Sequence, residues 1–600
     1  MISEATTIEI TVMPTTGTFY SHCRAIPGST RKTKSIIIVI DCSSSMDMRA
    51  ESKGNEENSV FSLLDLVIQA CKAIVSSTSR IISIVKYSGS AKIISDGDDR
   101  NTLLNKLDNI NADGSTNIWD GIKTAYEVAK KHHDAGIEHS DILLFTDGEV
   151  NCGPSDYHVN VENMVKKSSI STSLFTFGFG NHIGRESLVK SAEANNGRFA
   201  FISSPDMIGT KFVSFAAGLE LCADNISFAT TGDCPGYSRG PNGKINIGWL
   251  LEGSTREFVI CGHPDTSREA LSSANYIICD GYASEEDVFA TMMRQKFLVA
   301  AKKAIAGQSK NSFEFLYALS PAIREKLPNN QAMIALANDI DGEIKLGMDH
   351  YSITWGKSYL QTLVFAHGAE FSENFKDSSL QYYGGELFHD LRMKFDDMYI
   401  NMKFRVPHYK TSTTGKDWKD VSSMITYHGQ GIPCYGYGSK ILTDKGYLSI
   451  QELKKGAQIY DGNHYNTVKC ILRTSITSFT KMCKIGDLLI TPWHPIYVDG
   501  IWMFPCETHP QEYDYYVPYV YSVYAPGAKI AILNGVETAT LAHGIENENV
   551  ISHDFWGTQK CIEVLMQMRG WSDGVITISQ GDVEADQKSY TIKQDGVQFR

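Results

Sequence analysis

The chain has 600 residues, of which 42 % are hydrophobic and 21 % charged, which is the composition of several folded domains and excludes a disordered chain. Its 69 acidic residues outnumber 56 basic ones, giving a net charge of −13 with no basic cluster, so neither nucleic acid nor an anionic membrane is expected as a partner. The start, MISEATTIEITVMP, lacks the basic and continuous apolar regions of a signal peptide, and no apolar run is long enough to span a bilayer. Thirteen Cys form no CxxC pair, so reduced thiols and a cytoplasmic location are expected.

In chain order, residues 1–33 hold an alternating strand, Thr7 to Met13, expected to join a small antiparallel β-sandwich formed mainly by residues 223–283. Between them, residues 34–222 read as one α/β domain. Ser35 to Ile40 is a β-branched run suited to a central parallel strand, and it ends in Asp41-Cys42-Ser43-Ser44-Ser45-Met46-Asp47. Val60, Leu64, Val67, Cys71 and Ile74 follow at helical spacing and predict one buried stripe. Further strands are predicted over Arg80 to Tyr87, Asp141 to Thr146 and Ser173 to Phe179, the last closing on Gly180. Strands alternating with helices make a doubly wound parallel sheet, whose ligands gather beyond the carboxyl ends of the strands. Asp41 and Asp147 sit at such ends, and Thr116 precedes a predicted helix. These carboxylates and hydroxyls form an oxygen-only set that suits Mg²⁺ or Mn²⁺.

Asp41-x-Ser43-x-Ser45, then Thr116, then Thr146-Asp147-Gly148 resembles the metal-ion-dependent adhesion site (MIDAS) of the von Willebrand A family. The resemblance implies that Ser43 and Ser45 bind the ion directly and Thr116 directly or through water. Asp41 and Asp147 would act mostly through bound water, and a partner protein's acidic side chain would complete the sphere. Asp120 and Glu149 lie nearby but read as helix-capping and solvated positions, and Cys42 and Cys152 as small hydrophobes.

Residues 284–406 read as a helical interdomain region, with a stripe of Phe289, Met293, Phe297, Ala300 and Ala304 and further helices over Gln331 to Ala337 and Leu380 to Met393. Within it, Thr354-Trp355-Gly356-Lys357, Ala366-His367-Gly368 and Asn374-Phe375-Lys376-Asp377 resemble the region that joins A domains to intein-like domains. His367 and His389 are expected to be packed and hydrogen-bonded. Residues 407–433 read as a linker.

Residues 434–558 are punctuated by Gly and Asp into short strands, an all-β pattern. Cys434 at its opening, Gly456 before Asp461, Thr491-x-x-His494, Leu541-Ala542-His543-Gly544 and His553-Asp554-Phe555 together resemble the Hint fold of hedgehog and intein domains. That resemblance implies a self-cleaving site, with Cys434 as nucleophile towards Pro433, His494 as proton donor and Thr491 twisting the amide. Pro433 stands where many relatives carry Gly, and His553 is followed by Asp554 rather than Asn, so splicing by Asn cyclisation is not expected. No sterol-recognition segment is recognised. Residues 559–600 form a tail with a short helix candidate, Ile562 to Met568, and no assigned role. Two functions stay open: cation-mediated binding of an acidic partner with self-cleavage at Pro433–Cys434, or the same binding module with an inactive Hint-like scaffold. A hydrolase built on the metal site lacks a second metal's carboxylates and an adjacent base.

Overall fold

Ile10 and Val12, two residues apart, are both fully buried, and this period-two burial makes the N-terminal segment a strand, β1 (Ile8–Pro14). The computed structural model describes residues 8–14, 20–27, 33–50, 60–148, 150–179, 184–202, 207–274, 276–307, 313–345, 353–374, 377–412, 434–475, 480–498, 500–505, 512–515, 519–545, 550–551, 555–579, 583–586, 589–594 and 597–599. Thr7, Glu149, Gly180, Asn275, Phe375, Lys376, most of the expected linker including Pro433, Cys506, His553 and Asp554 lie outside the described residues. The chain divides into two compact units, one up to Thr411 and one built on the residues after Ser423.

In the first unit, β1 pairs antiparallel with β2 (Tyr20–Pro27). The run from Ser35 forms β3 (Lys34–Asp41), and β4 (Ile81–Tyr87), β5 (Ala91–Asp96), β6 (His139–Thr146), β7 (Thr172–Phe179) and β8 (Phe199–Ile202) complete a six-stranded sheet in the order β5-β4-β3-β6-β7-β8. All its ladders are parallel except the hairpin β4–β5. Six helices accompany it: α1 (Leu63–Ser77), α2 (Arg100–Asp108), α3 (Ile118–Asp134), α4 (Tyr157–Lys167), α5 (Arg185–Ala194) and α6 (Ile208–Leu221). Ile37, Val39, Ile142 and Leu144 on one face share a core with Ile118 and Ile122 of α3, Tyr157 and Val161 of α4 and Leu188 of α5. On the other face Phe145 and Phe177 pack 5.2 and 5.1 Å from Phe212 of α6, which lies against α1. Covering both faces is what permits strands as apolar as β3.

The helix α1 differs from the single stripe predicted. Every residue from Leu64 to Val75 is buried, including Gln69 and Lys72, while Val60 precedes the helix. A later helix, Gly385–Asn401, packs on α1 as well as on α6, leaving α1 no solvent face. Lys72 keeps its charge matched by an ion pair with Asp108 at 3.0 Å and a hydrogen bond to Lys403 O.

The strands β9 (Cys222–Phe228) and β10 (Ile245–Leu251) form a two-stranded ladder, and β11 (Arg256–Cys261) and β12 (Ile277–Asp280) extend the sheet of β1 and β2 in the order β11-β2-β1-β12. Ile10, Val12, Ile226, Phe228, Ile245 and Phe258 share one core, so the N-terminal strands close on residues that follow the α/β domain. The expected all-antiparallel pairing does not hold, because β12 runs parallel to β1. The helix Pro264–Ser272 separates β11 from β12 and provides the crossover that parallel pairing needs. The stripe around Phe297 lies on a helix, Glu285–Ala306, packed against Ile353–Ala369. The single helix expected over Leu380 to Met393 is instead a 3₁₀ turn, Ser378–Tyr382, and the helix from Gly385. Gly384 and Gly385, with φ of 96° and 74°, break it in a conformation only glycine adopts easily. His367 is a packed histidine as expected, its Nδ1 2.8 Å from Tyr383 Oη and its Nε2 3.1 Å from Ser379 Oγ.

The second unit is all β apart from short helices. Tyr435–Gly436 lies between Leu488–Ile490 and Tyr519–Tyr524, antiparallel to both. Cys470–Ser475 continues that sheet beside Tyr519–Tyr524, and a second sheet holds Lys440–Thr443, Ile496–Val498, Ile530–Leu533 and Val536–Ala539. The tail belongs to this unit. Its helix Gln559–Met566 and strand Val575–Ser579 bring Ile562, Leu565, Ile576 and Ile578 into a core with Leu472, Phe555 and Trp556. Val575–Ser579 pairs in parallel with Cys470–Ser475.

Candidate metal centre and candidate cleavage site

At the carboxyl end of β3, which closes on Asp41, Ser43 stands at the N-cap of a 3₁₀ turn, Ser44–Asp47, that carries Ser45. The Ser43 and Ser45 hydroxyls lie 3.1 Å apart, and Ser45 Oγ donates to Asp147 Oδ1 at 2.9 Å from the end of β6. A Cβ built on Gly148 would sit 3.8 Å from Ser45 Oγ and 3.9 Å from Thr116 Oγ1, so this glycine leaves open the space beside both hydroxyls. Backbone bonds hold the loops together, with Asp113 N–H donating to Cys42 O at 2.6 Å and Ser44 N–H to Gly114 O at 3.1 Å. Thr116 is fixed by its own N–H donating to Asn151 Oδ1 at 2.7 Å. The structure therefore brings Asp41, Ser43, Ser45, Thr116 and Asp147 to one sheet edge.

The two carboxylates differ. Asp41 is saturated: Oδ1 accepts from Ser43 N–H at 2.8 Å, and Oδ2 from Thr146 Oγ at 2.6 Å and Tyr87 Oη at 3.2 Å. Asp147 Oδ2 is buried without a hydrogen-bond partner. Burial pushes Asp147 up to about 6, the Asp41 charge adds to this, and the Ser45 hydroxyl opposes it. Burial likewise raises Asp41, against hydrogen bonds from Thr146, Ser43 and Tyr87. Among the described residues neither carboxylate has an ion-pair partner, so two like charges share a buried site lined by hydroxyls. No three His, Cys, Asp or Glu side chains among the described residues gather as a metal cluster; this site's other donors are hydroxyls. Ser45 is half-buried, whereas Ser43 and Thr116 are buried.

Tyr87 is a site residue that sequence reasoning missed, and Thr146, part of the Thr146-Asp147-Gly148 motif, has no role of its own in that reasoning. Tyr87 is in register with Asp41 across β3 and β4, a relation that no local spacing reveals. Asp120 accepts from Ala91 N–H at 2.7 Å and thus ties α3 to the β5 edge rather than capping its own helix. Cys42 is buried, with its thiol pushed up to about 12 by burial, and Cys152 is half-buried.

In the second unit Thr491 grips Cys434 from both sides. Its Oγ accepts from Cys434 N–H at 2.9 Å and donates to Cys434 O at 3.2 Å, while its own N–H donates to Cys434 O at 2.9 Å. The turn Thr491 to His494 places the imidazole in the core, where it lies 4.4 Å from the Tyr435 ring and its Nε2 is 2.9 Å from Ala539 O. An acceptor at that distance assigns the proton to Nε2, leaving buried Nδ1 with a free lone pair and no hydrogen-bond partner. Cys434 is fully buried, and Sγ is 3.4 Å from Ser522 Oγ, a contact not foreseen from the sequence. Burial pushes the thiol up to about 12, opposed by the Ser522 hydroxyl.

Burial also drives His494 down to about 4, with His543 adding to this and the Ala539 carbonyl and Cys434 main chain opposing it. A histidine neutral in the fold stabilises it fully above its unfolded value near 6.5, and this contribution is lost as pH falls towards 4. Acidification from pH 7 to 4 is therefore expected to cost the second unit about 3 kcal/mol from His494. Urea unfolding followed by tryptophan fluorescence checks this; equal loss in His494→Phe would show that the imidazole is not the cause.

The family model of the von Willebrand factor type A domain matches residues 35–209, that of the VWA / Hh protein intein-like region residues 330–397, and that of the Hint-domain residues 433–594. The last of these takes in most of the tail. The chain is 36 % identical over 129 residues, 20 % of its length, to the uncharacterized protein YfbK of Escherichia coli (strain K12). It is 27 % identical over 127 residues, 21 % of its length, to the uncharacterized protein sll0103 of Synechocystis sp.. It spans only 22 % and 29 % of these two curated relatives. Among solved structures, a von Willebrand factor type A protein from Catenulispora acidiphila aligns over 56 % of this chain and 91 % of that one, with a TM-score of 0.39 and 12 % identity. Proximal thread matrix protein 1 from the mussel byssus, with a zinc-occupied MIDAS motif, aligns over 29 % and 42 % with a TM-score of 0.23 and 20 % identity. The chain thus joins a von Willebrand factor type A domain, through an intein-like interdomain region, to a C-terminal Hint domain.

Proposed function

We propose that this protein binds an acidic side chain of a partner protein through one Mg²⁺ or Mn²⁺ held by Asp41, Ser43, Ser45, Thr116 and Asp147. The observation that carries this reading is Asp147 Oδ2, a buried carboxylate oxygen with no partner beside two hydroxyls 3.1 Å apart. A hard divalent cation, when bound, would supply the positive charge that two buried carboxylates lack and an attachment point for a third. Ser43 and Ser45 present neutral oxygens towards that space. Asp41, occupied by Thr146, Tyr87 and Ser43, holds the loop and would act on the ion through bound water. Among the described residues no side chain beyond the two carboxylates stands beside it as a general base, so we read it as a binding site. Calorimetric titration of the full chain with Mn²⁺ should show one site, lost in Asp41→Ala; equal binding by both proteins refutes the assignment.

A second activity rests on the grip of Thr491 on the Cys434 amide. In this reading Cys434 Sγ bonds to the carbonyl carbon of Pro433 as that carbon's bond to the Cys434 nitrogen breaks. The thiol proton passes by way of neutral His494 to the departing nitrogen, leaving a free amine. Water then adds to the thioester carbon, releases residues 1–433 as an acid and restores the thiol. With the thiol near 12, the resting site is held almost wholly protonated, which makes unassisted cleavage slow at neutral pH. A cytoplasmic setting accords with the absence of any CxxC pair and of a disulfide among the described Cys residues. No described helix is long and apolar enough to cross a membrane.

A further inference from the structure

Residues 402–411 follow the helix Gly385–Asn401 and fall between the intein-like match ending at 397 and the Hint match beginning at 433. They contain no regular secondary structure, yet they are fastened along the end of the von Willebrand A domain that carries the DxSxS turn. Arg405 Nε contacts Asp65 Oδ1 at 2.5 Å, with Asp65 buried and Arg405 largely covered, and its Nη1 donates to Ile110 O. Asp65 Oδ2 in turn accepts from His408 N–H at 2.9 Å and from Ser62 N–H at 2.8 Å, the second bond being half of the capping box of α1.

The segment then reaches the metal loop itself. Tyr409 Oη donates to Asp47 O at 2.8 Å, and Tyr409 N–H donates to Val60 O at 3.2 Å. Arg49 lies 3.7 Å over the Tyr409 ring, and its guanidinium donates to Thr411 O at 3.2 and 3.3 Å. Asp47 and Arg49 are two and four residues beyond Ser45. At the other end Ile110 opens the stretch that leads to Thr116, so Arg405 touches the supports of two separate ligand-bearing loops. A guanidinium shared between a helix cap and a loop carbonyl ties the two together, and loss of either member of the Arg405–Asp65 pair leaves a charge uncompensated.

We infer that Arg405 and Tyr409 are positioning residues for the cation site, and that the segment 402–411 is a strap whose docking and cation binding favour one another. This rests on the metal reading of the preceding subsection. If the strap sets the loop spacing, its docking equilibrium and the ion's affinity must be linked reciprocally. The ion would tighten the strap, and a loosened strap would weaken the ion. The strap also lies at the end of the last described stretch before the expected cleavage bond, and after cleavage it would stay with the fragment that carries the metal site.

The test uses the full chain. Hydrogen exchange of the His408 and Tyr409 amides is measured with and without saturating Mn²⁺, and Mn²⁺ affinity is measured by calorimetry for the wild type and Arg405→Ala. The expected result is slower exchange of both amides in Mn²⁺ and affinity about tenfold weaker in the variant. Should Arg405→Ala misfold, the exchange measurement on the wild type decides alone. Mn²⁺ binding by the wild type with unchanged exchange, or with undiminished affinity in a folded variant, overturns the strap while leaving the metal site standing. Absence of Mn²⁺ binding to the wild type removes the metal reading and the strap with it.

Discussion

Replacing Asp147 by Asn is expected to abolish saturable Mn²⁺ binding and, in the same protein, to stabilise the cation-free chain. The amide keeps an oxygen for the bond from Ser45 Oγ at 2.9 Å but removes a charge that faces Asp41 in a buried site. In EDTA the gain is expected to be roughly 1–3 kcal/mol, because an uncompensated buried charge is what the wild type carries there. Excess Mn²⁺ should reverse the order, since a ligand that binds only the folded wild type stabilises it by mass action. Scanning calorimetry of both proteins in EDTA and in Mn²⁺ tests this. A variant less stable than the wild type in EDTA, with retained Mn²⁺ binding, would place the cation elsewhere.

The second large effect is on the covalent chain. Under dithiothreitol or hydroxylamine, full-length protein is expected to yield fragments of roughly 48 and 18 kDa, in proportion to the 66.5 kDa whole. Cys434→Ala should remain a single band. His494→Ala, which removes the free Nδ1 lone pair, should slow fragment formation by about 10²–10⁴-fold. Thr491→Val loses both side-chain bonds to Cys434 while keeping its backbone bond, so it should slow cleavage yet leave the fold in place. Denaturing gels over a time course read all three. A wild-type chain that stays whole supports the inactive-scaffold alternative and leaves the metal site untouched.

The parts of the site that the sequence revealed are those whose geometry is short-range. The run ending in Asp41 fixes a strand and its terminus, and Ser43 and Ser45 follow within one turn. The same holds for Thr491 and His494, three residues apart. What stayed hidden depends on partners far along the chain. Tyr87 supports Asp41 through strand register, and Ser522 meets Cys434 because Tyr435 is paired with Tyr521. The stretch 407–411 reads as the start of a linker because its hold on the protein comes through backbone carbonyls and single side chains, which have no periodicity. The one-sided stripe predicted for α1 fails for a similar reason: the helix covering its second face begins at Gly385. The tail gave no functional signal because its strand extends a sheet whose neighbouring strand, Cys470–Ser475, lies about a hundred residues earlier.

That late strand has a bearing on timing. A ribosome emits the chain from the amino end, so Cys434 emerges long before Val575–Ser579 is available to flank Cys470–Ser475. Tyr519–Tyr524, which brings Ser522 to the thiol, also arrives well after it. A nascent chain therefore holds Cys434 in an unfinished sheet, and the proposed scission would wait until residues 575–579 have been made.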